Sequence, residues 1–140
     1  MNAMRENVSN QNIDFQLGLL YFAHVLAMVD GDIDHREKAT IRKIKLEEMI
    51  PDWVFDDFTE SVHEKTERKI YEEGVAMLNR CREEEKLKVF VHLYRLSKAD
   101  DKVHVREVRL LLYSLKATKI SFEDVEYEAR MSITNTLHVQ

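Results

Sequence analysis

Leu26-Ala27-Met28-Val29-Asp30-Gly31-Asp32-Ile33-Asp34-His35-Arg36-Glu37 returns 70 residues later as Leu96-Ser97-Lys98-Ala99-Asp100-Asp101-Lys102-Val103-His104-Val105-Arg106-Glu107. Leu, the first Asp, Arg and Glu are identical in register, and Ile33 pairs with Val103. A phrase that recurs at a long fixed separation marks one structural unit used twice. In each copy a hydrophobic helical pattern stops at an Asp, and a second pattern resumes after a short polar turn. The reading that follows is helix, acidic loop, helix, made twice.

The rest of the chain reads as helical too. It has 140 residues, 44% hydrophobic and 34% charged, enough for a single packed core. One proline and three glycines leave little material for β-turns. Glu and Lys alternate with apolar residues at three- and four-residue spacing, the period of an amphipathic helix.

Seven helices are predicted. The first runs from about Ile13 to Val29 and is apolar nearly all round, which makes it the central one. The second starts near His35, with Asp34 and Glu37 as a capping box, and ends before Pro51. The third opens at Asp52 as N-cap, with Trp53, Phe55, Phe58 and Val62 turned inward. The fourth spans about Glu67–Cys81, weakened by Gly74. The fifth covers about Glu83–Ala99, with Leu87, Phe90, Leu93, Tyr94 and Leu96 on one arc and His92 at its edge. The sixth starts near Val105 and carries Val108, Leu111, Leu112 and Leu115. The seventh is capped by Ser121 and carries Phe122, Val125 and Tyr127.

Asp52-Trp53 matches Ser121-Phe122 at a separation of 69, which implies one slipped residue between halves. The expected fold is therefore all-α, with two pseudo-repeated three-helix halves, about 13–64 and 83–131, joined by a connecting helix. Residues 1–12 are expected to be a disordered polar segment and 132–140 a C-terminal tail.

Net charge is −5, and the basic runs are interrupted by glutamates, so no nucleic-acid partner is expected. No apolar run is long enough to cross a bilayer, so direct membrane insertion is not expected. A lone cysteine, Cys81, forms no intrachain disulfide and fits a cytoplasmic protein. No Ser or Cys has a His/Asp pair at an informative spacing, and no glycine-rich phosphate loop is present. His24 reads as a core or groove histidine, His63 as part of a solvated face, and Cys81 as a small buried hydrophobe.

The repeated phrase carries the remaining chemistry. Glu37 and Glu107, at the third helical position, satisfy free N–H groups, and Ile33 and Val103 plug the corners. Asp30 and Asp100 resist that account, because each stands at the negative end of a helix dipole. Either an Asx-type turn or a bound cation would compensate them. In the first copy Asp30, Asp32, Asp34 and Glu37 place four carboxylates within eight residues, an oxygen set suited to Ca²⁺ or Mg²⁺ rather than Zn²⁺. The spacing is not that of an EF-hand. In the second copy Lys102 and His104 replace two carboxylates, leaving Asp100 and Glu107 as weaker candidates.

The two phrases, Asp-Gly-x-Ile-x-x-x-Glu and Asp-x-x-Val-x-x-x-Glu, together with Lys119-Ile120-Ser121-Phe122-Glu123, resemble the TerB-like family. That family includes tellurite-resistance proteins and the N-terminal cytoplasmic domain of membrane-anchored DnaJ-type co-chaperones. The likeness covers about residues 13–130. It implies a helical fold with two similar halves and a non-enzymatic role in stress or tellurite resistance. It also implies protein contacts and binding of metal at the acidic positions Asp30, Glu37, Asp100 and Glu107. Asp101 in place of Gly and His104 depart from the family pattern. The alternatives are an enzyme dependent on a carboxylate-bound metal and a purely structural interaction domain.

Overall fold

The computed structural model describes the backbone of residues 2–28, 35–98 and 105–139, and the side chains of residues 13–28, 38–95 and 109–131. Among the described residues there are seven helices and no strand: α1 (Asn2–Met28), α2 (His35–Glu47), α3 (Asp52–His63), α4 (Glu67–Asn79), α5 (Glu83–Lys98), α6 (Val105–Thr118) and α7 (Phe122–Val139). The helical backbone of α1 and α7 takes in residues 2–12 and 132–139, where the sequence reading expects a polar segment and a tail.

α1 is the axis of the fold. Leu19, Leu20, Tyr21, Phe22 and Ala23 are all buried, so every side of the helix is covered. It packs on α2, α3, α4 and α5, most extensively on α4. The α1–α4 crossing is close because two glycines line it. A Cβ on Gly18 would come within 2.8 Å of Leu78 Cδ2, and one on Gly74 within 3.2 Å of the Phe22 ring. Gly74 costs helix propensity, as the sequence suggests, but that cost is offset by the approach of an aromatic ring. Asp14 and Arg80 lock the same crossing with two hydrogen bonds of 2.9 and 3.1 Å.

α5 is the second buried helix and packs on α1, α4, α6 and α7. Val89, Phe90, Val91 and Leu93 are buried, and so are Lys86 and His92. Its buried surface is thus wider than the arc read from the sequence. Lys86 Nζ donates to the carbonyl of Thr118, the last residue of α6, where a cation also meets the negative end of the dipole. Within α6 the buried hydroxyls of Ser114 and Thr118 donate to the carbonyls of Leu110 and Ser114, each at 2.7 Å.

The corners that follow α2 and α6 are built alike. Met49 and Lys119 adopt positive φ, 52° and 60°. After α2, Ile50 N–H donates to Lys45 O and Met49 N–H to Leu46 O; after α6, Ile120 N–H donates to Leu115 O and Lys119 N–H to Lys116 O. This is the Schellman pattern, built twice with a non-glycine at the left-handed position. α3 and α7 follow at Asp52 and Phe122. Each of these landmark pairs is 70 residues apart, so the one-residue slip expected from aligning Asp52 with Ser121 does not occur.

The same corner corrects the expected cap. Pro51, with φ −61° and ψ 152°, is the N-cap of α3 and has no side-chain capping bond. Asp52 is the first helical residue, and it pairs with Lys45 at 2.7 Å. The Schellman turn ends at Ile50, so the chain re-enters a helix one residue earlier than an Asp cap would require. Four residues expected inside are on the surface: Trp53 is 61% exposed, Tyr127 60%, Leu112 51% and Phe122 43%. Each lies on an apolar pattern wider than the surface its helix actually buries.

Candidate functional site

The first three helices and the start of α4 do not close fully on one another. They enclose a groove of about 590 Å³ lined by residues from α1, α2, α3, the α3–α4 turn and α4. Its floor is apolar: Ile41, Phe58 and Ile70 are buried and line it. Phe58 is held by its neighbours, edge-on to His24 at 5.8 Å and tilted against Phe55 at 5.7 Å and Tyr21 at 6.0 Å. α3 supplies one wall, because Phe55, Phe58, Thr59, Val62 and His63 follow the helical period and fall on one stripe.

The mouth is basic. Lys38 and Arg42 stand one turn apart on α2, both exposed, and neither pairs with a carboxylate among the described residues. His63 is exposed on the opposite wall. Lys65 is satisfied, at 2.9 Å from Glu73 Oε2 and 3.1 Å from the Tyr21 hydroxyl. Burial works against its charge, but the bonds to Glu73 and Tyr21 raise its pKa overall. His24 is half-buried, and burial, with His63 nearby, lowers its pKa. His24 is therefore the groove histidine that its position on the α1 stripe suggests.

Met28, the last residue of α1, also lines the groove. Residues 29–34 follow it, and the side chains of Asp30, Asp32, Asp34 and Glu37 lie outside the described residues, as do those of Asp100 and Glu107. Their carboxylates, and the cation they are expected to share, thus have no described geometry. Among the described residues, no three His, Cys, Asp or Glu side chains form a group able to hold a metal ion.

A second polar cluster joins the end of α2 to α5. Glu48 Oε2 lies 2.6 Å from His92 Nε2, and Glu48 Oε1 3.0 Å from Lys88 Nζ. Burial pushes the Glu48 carboxyl up, but the hydrogen bonds from His92 and Lys88 outweigh it and hold the pKa below the usual value. His92 is thus a buried partner rather than the boundary residue expected. No spacing rule finds this pair, because its members are 44 residues apart.

Cys81 is half-buried, and its Sγ lies 3.4 Å from the Met77 carbonyl. Burial, then the carboxylates of Glu85 and Asp14, push its thiol up to about 11. A thiol so protonated at neutral pH is a poor nucleophile.

The chain matches no family model, no curated protein and no solved structure at a significant level.

The groove itself was not legible in the sequence. Phe55, Phe58 and Val62 read as inward-facing, but whether inward-facing residues fill a space or leave one depends on the separation of the helices. Lys38, Arg42 and Thr59 carry no motif that marks them.

Proposed function

We propose that this chain is a TerB-like helical module without an active site, serving a stress or tellurite-resistance response. It works through contacts with other proteins and through a divalent cation, Ca²⁺ or Mg²⁺, held on the first acidic loop. The observation that carries this reading is the doubled phrase, whose first copy keeps Asp30, Asp32, Asp34 and Glu37 between two helices. The matching corners after α2 and α6, with Met49 and Lys119 at the same turn position 70 residues apart, support two pseudo-equivalent halves. The halves are unequal in chemistry, since Lys102 and His104 replace two carboxylates in the second. The raised pKa of Cys81 speaks against the lone thiol as a nucleophile.

Calorimetric titration of the metal-stripped protein with Ca²⁺, Mg²⁺, Mn²⁺ and Zn²⁺ tests the cation. Binding of Ca²⁺ or Mg²⁺ that Asp30→Asn and Glu37→Gln both abolish is the expected result. No heat at millimolar metal, with both variants melting lower than the parent in its absence, would make the carboxylates turn and cap residues and leave a structural interaction domain.

A further inference from the structure

The acidic phrase does not account for the groove, whose described lining is of the opposite sign. We propose that the groove binds a single free amphiphile of the long-chain carboxylate class, with its chain on the Ile41–Phe58–Ile70 floor and its head group at Lys38 and Arg42. Its volume of about 590 Å³ lies within the usual range for small-molecule sites. An apolar floor under a cationic mouth selects a ligand with the same two-part character. Lys38 and Arg42, four residues apart on one helix, present their charges on one face. The Arg42 guanidinium has the planar fork that matches a carboxylate.

The surroundings favour a free amphiphile over the surface of an anionic bilayer. On α3, which forms one wall, Asp56, Asp57 and Glu60 are exposed and would repel such a surface. The site is also a cleft between helices, with room for a chain, rather than a flat face.

Calorimetry on the full chain tests the proposal, with decanoate, 1-decanol and phosphatidylglycerol vesicles as probes. Decanoate is expected to bind one per chain with a dissociation constant below about 100 μM. Reversing both charges, Lys38→Glu with Arg42→Glu, should weaken it by about tenfold or more. Thr59→Trp, which fills the mouth from an exposed position, should remove binding. Lys116→Glu makes the same kind of charge change on α6, away from the groove, and should leave binding intact. Circular dichroism melts establish that each variant folds; if the double reversal does not, the Thr59→Trp variant and the decanoate–decanol difference decide. Decanol binding as tightly as decanoate, decanoate binding unaffected by Thr59→Trp, or binding to vesicles alone would each overturn the proposal.

Discussion

Glu48 and His92, 44 residues apart in the chain, meet at 2.6 Å with both side chains only 10% exposed. Lys88 takes the other carboxylate oxygen, so one buried acid joins the corner after α2 to two residues of α5. Removing one partner of such a group leaves the other desolvated and unpaired. His92→Ala is expected to cost about 2 kcal/mol or more of stability by urea denaturation. A loss under about 0.5 kcal/mol would place the cluster among surface pairs of little weight.

The same cluster sets an acid limit. The folded-state pKa of Glu48 lies below its ordinary value of 4.5. Its stabilisation is therefore fully present above that value and is lost as pH falls through the lowered one. Thermal melts in this acid range should show Glu48→Gln losing less stability on acidification than the parent. Equal losses in the two proteins would remove Glu48 from the account of acid unfolding.

His24 works in a different window. Burial, then His63, lowers its pKa from 6.5, so between the lowered and ordinary values the unfolded chain binds the extra proton and the folded one does not. Stability attributable to His24 is present above about 6.5 and falls as pH drops below it. His24→Gln should flatten melting temperature against pH through this range. If the slope is unchanged, other groups carry it.

Met49 has positive φ and is 84% exposed, so it stands in a left-handed turn without packing to justify a side chain. Met49→Gly is expected to stabilise by about 0.5–1 kcal/mol, the relief of the Cβ exceeding the added freedom of the unfolded chain. Lys119→Gly should act in the same direction. Destabilisation by both would contradict the two matching corners.

Gly74 meets the Phe22 ring and the Tyr21 Cβ, which lie on the buried axis of the fold. Gly74→Leu should therefore destabilise by more than about 2 kcal/mol, although leucine is much the better helix former. A stability gain would mean that propensity, not the α1–α4 approach, governs this position.

Iodoacetamide at pH 8 should label native Cys81 far more slowly than the urea-unfolded chain, because the thiol is half-buried and its pKa is raised to about 11. Equal rates would show that the fold does not protect the Cys81 thiol.

Much of this protein was legible without coordinates. Helix number, the central role of α1 and the 70-residue repeat of the phrase follow from hydrophobic period and local turn chemistry, both short-range properties. The end of α2 before Pro51 was within reach for the same reason. Only the tertiary structure decided which apolar residues find a neighbour. Trp53 and Leu112 fit their helical patterns and still face solvent, while His92 and Lys86 are buried because α2 and α6 bring a carboxylate and a carbonyl to them. Gly74 changes from a weak point of a helix to a point of contact once α1 lies across it. The groove belongs to the same class of fact. Its residues come from four separate stretches, and a space between helices is a property of their distances, which no single stretch of sequence contains. The doubled acidic phrase is the converse: its carboxylates and their spacing were read from the sequence alone, and their chemistry rests on it.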